Sequence, residues 1–149
     1  MKLATIALAF LFFATAMSAQ DRDSLAGAWE QTAAVVGGQS QQPEAPALHV
    51  IFSNGQYVQF RAAANRAKLA MPRDQMTREQ LLEWSNIQGQ YGTYRTNAGK
   101  LTRRIVSAAD PANEGRELVS EFKIVGDTLT ITVTNQQGQK IEGTFRRLR

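Results

Sequence analysis

The chain is dominated by short runs that suit β-strands, each separated from the next by turn-forming or polar residues. In the run 128–134, for example, Leu129, Ile131 and Val133 alternate with threonines. Alternation with a period of two predicts a strand that buries one face. Eight runs of this kind follow one another, at 29–36, 47–52, 57–61, 88–96, 100–107, 116–125, 128–134 and 140–148.

The short connections between most of these runs favour antiparallel neighbours joined in sequence order. Eight such strands can close into an up-and-down barrel that has no free edge. A barrel of this size encloses room for its own side chains or for one small ligand. A two-sheet sandwich is the alternative architecture, but it would require longer connections that cross from one sheet to the other. We therefore predict an all-β fold, an eight-stranded antiparallel barrel.

The segment 62–86 is the one part of this series that is not strand-like. Thr77 precedes Gln80 in the spacing of a capping box, and Leu81, Trp84 and Ile87 fall near one helical face. This pattern predicts a short helix over about 76–85, between the third and fourth strands. Its apolar stripe is narrow, so we expect the helix to lie against the barrel, for instance at its mouth.

The N-terminus has the composition of a secretory signal peptide. Lys2 is followed by an uncharged apolar run at 3–13 and by small residues at 14–19. The apolar run is too short to span a membrane, which takes roughly 20 residues. Cleavage after Ala16 or Ala19 is compatible with this pattern, and we favour Ala19. The sequence predicts a signal peptide at 1–19, one domain at 20–149, a periplasmic or secreted location and no transmembrane segment.

Composition argues against several classes of protein. The chain has no cysteine, which excludes disulfides and a lipidated cysteine, and its single histidine leaves no cluster for a transition metal. Without Lys2, 16 Lys and Arg remain against 13 Asp and Glu, a net charge of +3 with interspersed signs. Nucleic-acid binding would require a basic stripe with interleaved aromatics. The glycines are scattered at turns and form no phosphate-binding loop, so we predict no nucleic acid, metal or cofactor.

Several motifs, in their order and spacing, resemble the lipocalin-like domain of exported bacterial proteins. They are Leu25, Gly27 and Trp29 in the first strand, then 51–57, 91–94, 126–129 and 145–147. The similarity covers nearly all of 20–149. It implies a cup-like barrel in which the first-strand tryptophan, here Trp29, lies at the closed end with an arginine of the last strand, here Arg147, across it. Gly27 belongs to the same structural floor.

Arg103 is the polar residue most informative about a ligand. Consecutive strand residues face opposite sides, so Arg103 points inward if Leu101 and Ile105 do. A buried arginine needs partners. An anionic ligand head group is one candidate. A protein carboxylate such as Glu117 or Glu121, or water at an open rim, is the alternative.

Aromatic residues supply the further candidates for a ligand cavity. Tyr57, Tyr91, Tyr94 and Phe122 would give such a cup its apolar walls, although packing in the core is the other role open to each of them. Trp84 on the helix would either cover the cavity or pin the helix to the barrel.

The predicted function is reversible binding of a small hydrophobic or amphipathic molecule, with an anionic head group as one option. One alternative is a cofactor-free isomerase or cyclase, with acid-base chemistry resting on tyrosine, His49 or arginine. Another is a protein-interaction module whose barrel is filled by its own side chains. No Gly-x-Ser-x-Gly elbow and no pair of acidic residues suited to glycoside hydrolysis is present, so no catalytic residue is assigned.

Overall fold

The computed structural model describes residues 24–42, 47–62, 71–85, 87–135 and 137–149. The predicted signal peptide at 1–19 lies outside these residues. The described chain forms strands β1 (Gly27–Val36), β2 (Gln39–Gln41), β3 (His49–Ser53), β4 (Gln56–Ala62), β5 (Ile87–Asn97), β6 (Lys100–Ala108), β7 (Glu117–Val125), β8 (Thr128–Thr134) and β9 (Lys140–Arg147).

Eight of these strands close into a barrel. From β3 to β9 each strand pairs antiparallel with the next, and β1 pairs with β3 on one side and β9 on the other. The predicted eight-stranded up-and-down barrel is therefore confirmed. Its two ends differ: the floor is the end at which β1 begins and β9 ends, and the mouth is the opposite end, where β4 ends and β5 begins.

The ninth strand, β2, was not predicted, because it lies in the polar stretch between the predicted strands at 29–36 and 47–52. Gly37 and Gly38 have positive φ angles, +57° and +82°, and they turn the chain back into a hairpin. β2 pairs with the last three residues of β1, 34–36, beyond the part of β1 that pairs with β3. Its three side chains are all polar and exposed, so they carry no alternating pattern.

The connections follow local turn and capping chemistry. Asn54 and Gly55, with φ angles of 48° and 77°, form the tight turn between β3 and β4. Helix α1 (Arg78–Trp84) follows the predicted capping box, in which the Gln80 amide nitrogen donates to Thr77 Oγ1 and the Thr77 amide to Gln80 Oε1. Single 3₁₀ turns occur at Arg73–Gln75 and Pro111–Asn113. No helix within the described ranges has the length and apolar content needed to span a membrane.

Buried side chains fill the barrel from the floor to its middle. Leu25 lies just before β1, and the others come from seven barrel strands: Trp29, Val50, Phe52, Tyr57, Tyr94, Leu101, Leu129, Ile131 and Phe145. Phe52 contacts Tyr94 edge to face, with 5.0 Å between the ring centroids. This part of the interior is therefore a packed core.

Trp29 and Arg147 close the floor. The Trp29 indole Nε1 donates to the Leu25 carbonyl at 2.9 Å, and the Arg147 guanidinium lies 4.1 Å above the centre of the indole ring. Arg147 also donates to the carbonyls of Ser24 and Ala26, at 2.8 and 2.6 Å. These bonds hold the chain entering β1 beneath the barrel, where Leu25 and Trp29 are fully buried.

Gly27 permits this close contact. Its φ angle is +128°, and a Cβ atom there would lie 2.8 Å from Arg147 Nη1. Any other residue would strain the backbone and displace the guanidinium. The glycine, the tryptophan and the arginine therefore act as one structural unit.

Arg147→Ala is expected to lower the free energy of unfolding by about 2 to 4 kcal/mol, because it removes two charged hydrogen bonds and a cation–π contact. Denaturant unfolding measures this loss. The matched control is Arg146→Ala, since Arg146 is exposed and pairs with Glu30 at 2.8 Å on the outer surface. That change should cost about 0.5 kcal/mol or less. Equal losses in the two variants would refute the role of Arg147 in the floor.

Candidate functional site

Arg103 projects into the barrel between the packed core and the mouth. It lies in β6 opposite Tyr94 of β5 and Leu118 of β7, and only 8% of its surface is exposed. Leu101 and Ile105 are also buried, which agrees with the predicted parity. The structure thus places a guanidinium group in an interior that is mostly apolar.

Arg103 has unusually few partners for a buried charge. Its Nη1 donates to Gln59 Oε1 at 2.9 Å, and its guanidinium lies 5.5 Å from the centre of the Tyr57 ring. Within the described residues no carboxylate pairs with it, and its Nε atom is buried with no hydrogen-bond partner. Glu117, a partner considered from the sequence, pairs with Arg95 instead.

Burial also shifts the pKa values of Arg103 and the neighbouring Tyr57. Desolvation lowers the pKa of Arg103, and the neighbouring Tyr57 partly offsets that effect. Desolvation raises the pKa of Tyr57, against the influence of the guanidinium. The Tyr57 hydroxyl is buried and has no hydrogen-bond partner among the described residues. Unsatisfied polar atoms of this kind are costly unless a water, an ion or a ligand completes their hydrogen bonding.

A cavity of about 330 Å³, which we call the mouth pocket, is lined by Gln59 but not by Arg103 itself. Five of its lining residues carry polar side chains, namely Gln59, Gln88, Gln90, Asp110 and Asn113. The others are small or aliphatic, and they include Gly89, Ala108 and Ala109. Gln59 is the link to the interior, because the same side chain lines the pocket and accepts the hydrogen bond from Arg103.

A second arginine meets the mouth pocket at its rim. Arg61 Nη2 donates to Gln88 Oε1 at 2.6 Å, and Gln88 lines the pocket. The acidic residue of the pocket, Asp110, accepts hydrogen bonds from the Ala112 amide and the Asn113 side chain. The pocket therefore has two guanidinium groups, each one hydrogen bond away, and one carboxylate that is already hydrogen-bonded. The lining itself thus combines neutral amide groups with one carboxylate, and the two guanidinium groups lie behind the amides of Gln59 and Gln88.

The predicted cavity residues fall into three groups. Tyr57 and Tyr94 lie beside Arg103, but they are 1% and 4% exposed and belong to the packed core rather than to an open wall. Phe122 of β7 is partly buried and packs against that core. Trp84 ends helix α1, and its side chain lies outside the described residues.

Tyr91 does not line the interior, which corrects our expectation. It is 51% exposed and lies opposite Val58, which is 50% exposed, on the outer face of the barrel. The reason is strand parity: Tyr91 and Tyr94 are three residues apart in β5, so only one of them can point inward.

His49 also lies on the outer face. Its side chain is 43% exposed and lies 3.8 Å from the carboxylate of Glu30, across the β1–β3 pair. An enzyme that used His49 as a base inside the cup is therefore not compatible with this structure.

Sequence reasoning missed the amide side chains of the mouth pocket. Gln59 is two residues from Tyr57, and Gln90 is four residues from Tyr94, so both share the inward face of their strands. That parity was available from the sequence. Asp110 and Asn113 lie in and beside a 3₁₀ turn, where no periodic pattern points to a site.

Comparison with known proteins supports the fold. A crystal structure of a lipocalin-like protein from Bacteroides uniformis has 14% sequence identity and a TM-score of 0.51, with 84% of this chain and 99% of that chain covered. An uncharacterized protein from Bacteroides eggerthii has 14% identity and a TM-score of 0.48, over 83% and 99% of the two chains. No family model matches the sequence, and no curated protein matches it. The protein thus has the barrel fold of a lipocalin-like protein.

Removing the buried charge should not destabilise the protein. Arg103→Met keeps the volume and removes the desolvation cost of a cation without a carboxylate partner, so the free energy of unfolding without ligand is expected to stay equal or rise by up to about 2 kcal/mol. Chemical denaturation measures it, with Arg104→Met, an exposed neighbour in β6, as the control. A loss of more than about 2 kcal/mol would show that Arg103 is a structural residue.

Proposed function

We propose that this protein is an exported binding protein that holds a small acidic or amphipathic molecule at the mouth of its barrel. The observation that carries this proposal is the Arg103–Gln59 hydrogen bond. It connects a buried guanidinium without a carboxylate partner in the described chain to an amide that lines a 330 Å³ pocket. A ligand carboxylate or phosphate supplies what Arg103 lacks.

The binding mechanism follows from the polarity of the mouth pocket. A ligand anion that enters the pocket accepts hydrogen bonds from the Gln59 and Gln90 amides. It can also displace the Gln59 oxygen and bind Arg103 directly. Because the guanidinium is shielded from water, a hydrogen bond to it is stronger than one at the surface. Asp110 and Asn113 at the rim favour a head group that also carries a hydrogen-bond donor.

Export rests on the leader at 1–19, with one charged residue, an apolar run and small residues before the predicted cleavage after Ala19. On that basis we propose a periplasmic or secreted location. A binding protein outside the cytoplasm would capture its ligand from dilute solution, which favours a site with a strong polar anchor.

The direct test is native mass spectrometry of the protein purified from a bacterium that exports it, which should reveal a bound small molecule. The affinity of that molecule should fall about tenfold to a hundredfold in Arg103→Met, as expected for the loss of a charged hydrogen bond, and should remain unchanged in Arg104→Met. Isothermal titration calorimetry measures both values.

Two results would contradict the proposal. One is a bound molecule whose affinity is equal in Arg103→Met and in the original protein. The other is a protein that carries no small molecule and binds no alkyl carboxylate or alkyl phosphate in calorimetry.

A further inference from the structure

The outer face of the barrel next to the mouth pocket is apolar, although outward positions of a sheet in water are usually polar. Ile51, Val58, Phe60 and Tyr91 are 49%, 50%, 47% and 51% exposed. Ile51, Val58 and Tyr91 are paired in register across β3, β4 and β5, so they form one continuous row. Clustered exposed apolar side chains mark binding surfaces more often than scattered ones do.

Part of this face forms a shallow depression that is open to solvent. A groove of about 260 Å³, which we call the outer groove, lies between Phe60 and Tyr91, with Gly89 between them and Ala108 and Ala109 along one side. Gly89 lies opposite Phe60 in the β4–β5 register. The groove exists because a glycine and two alanines leave space beside two aromatic rings.

The outer groove adjoins the mouth pocket at the rim of the barrel. Five residues line both, namely Gln59, Gly89, Gln90, Ala108 and Ala109. The two cavities differ in chemistry, since amide side chains dominate the mouth pocket and apolar side chains dominate the groove. The barrel rim at β4, β5 and β6 therefore separates a polar inner compartment from an apolar outer one.

We infer that the ligand is an amphipathic acid that lies across this rim, with its acidic head in the mouth pocket and its hydrocarbon tail in the outer groove. The inference rests on the proposed function for the head group and adds the location of the tail. Charge complementarity with Arg103, which contacts the pocket residue Gln59, places the head in the mouth pocket. The two cavities share Gly89 and four other lining residues, so the groove is within reach of a tail whose head lies in the mouth pocket.

The packed core explains why the tail would leave the barrel. Beneath Arg103 the described interior is occupied by Tyr57, Tyr94 and Phe52, which are all nearly fully buried. A tail directed inward would have to displace these rings, and close-packed interiors resist such insertion. A tail directed over the rim would contact exposed apolar side chains, and burying their surface is energetically favourable.

Calorimetry with octanoate, decanoate and dodecanoate, each below its micellar concentration, tests the position of the tail. Burial of each added methylene should raise affinity about twofold to fourfold. Gly89→Leu fills the groove: its φ is not in the left-handed region, and a Cβ there would lie 3.5 Å from the Phe60 ring, an ordinary contact. In that variant the dependence on chain length should largely disappear.

Two further variants distinguish a specific effect of the groove from a general effect on folding. Phe60→Ser removes one wall of the groove and should also reduce the chain-length dependence. Val119→Ser removes an apolar side chain that is 59% exposed on the outer face of β7, away from the groove, and should leave the dependence unchanged. Denaturant unfolding confirms that each variant is folded.

The outcomes separate the two proposals. If chain length raises affinity equally in the original protein, Gly89→Leu and Phe60→Ser, the tail lies elsewhere and the inference is overturned, while the proposed function survives. If the original protein carries no small molecule and binds neither an alkyl carboxylate nor an alkyl phosphate, both fail. If Phe60→Ser changes self-association in analytical ultracentrifugation but not the chain-length dependence, the outer face joins copies of the protein and the inference is overturned.

Discussion

The stacking of Arg147 on Trp29 determines which end of the barrel is available to a ligand. The guanidinium covers the indole ring at 4.1 Å and holds the carbonyls of Ser24 and Ala26, so the chain entering β1 is fixed across the floor. Side chains from seven barrel strands, together with Leu25, then pack upward from this floor to the level of Tyr57 and Tyr94. The space that we describe lies at the other end, where β4 ends and β5 begins. The mouth is therefore the end at which we propose that a ligand binds.

Arg103 marks the boundary between the packed core and the mouth pocket. A charge that is 8% exposed and has one hydrogen-bond partner in the described chain costs stability. Residues that lower stability at a pocket are expected where binding requires them. The same physical cause links the lowered pKa of Arg103, the raised pKa of Tyr57 and the affinity that we expect for an anion, since all three follow from exclusion of water around the guanidinium. The neighbouring apolar groove extends this site over the rim.

The sequence predicted the barrel and its floor more closely than the site. Alternating apolar residues and turn residues were sufficient to predict the eight barrel strands, because both are local sequence patterns. Strand β2 is too short and too polar to show such a pattern. The alternation of side chains between the two faces of a strand correctly predicted that Arg103 points inward. The same rule, applied to β5, predicts that Tyr91 points outward. Among the described residues, Arg103 has an amide and not a carboxylate beside it because the register of β4, β5 and β6 brings Gln59 within 2.9 Å across 44 positions of sequence. Such long-range register is not visible in one sequence.

The central claim is that a ligand anion binds the guanidinium of Arg103 through the mouth pocket. The most direct measurement is the ¹H–¹⁵N resonance of Arg103 Nε in NMR, assigned by its disappearance in Arg103→Met, during titration with decanoate. Since Nε is buried and lacks a hydrogen-bond partner in the described chain, a bound carboxylate should shift this resonance strongly and protect it from exchange with water. Saturable binding of decanoate that leaves the Arg103 resonance unchanged, while resonances elsewhere shift, would contradict the account.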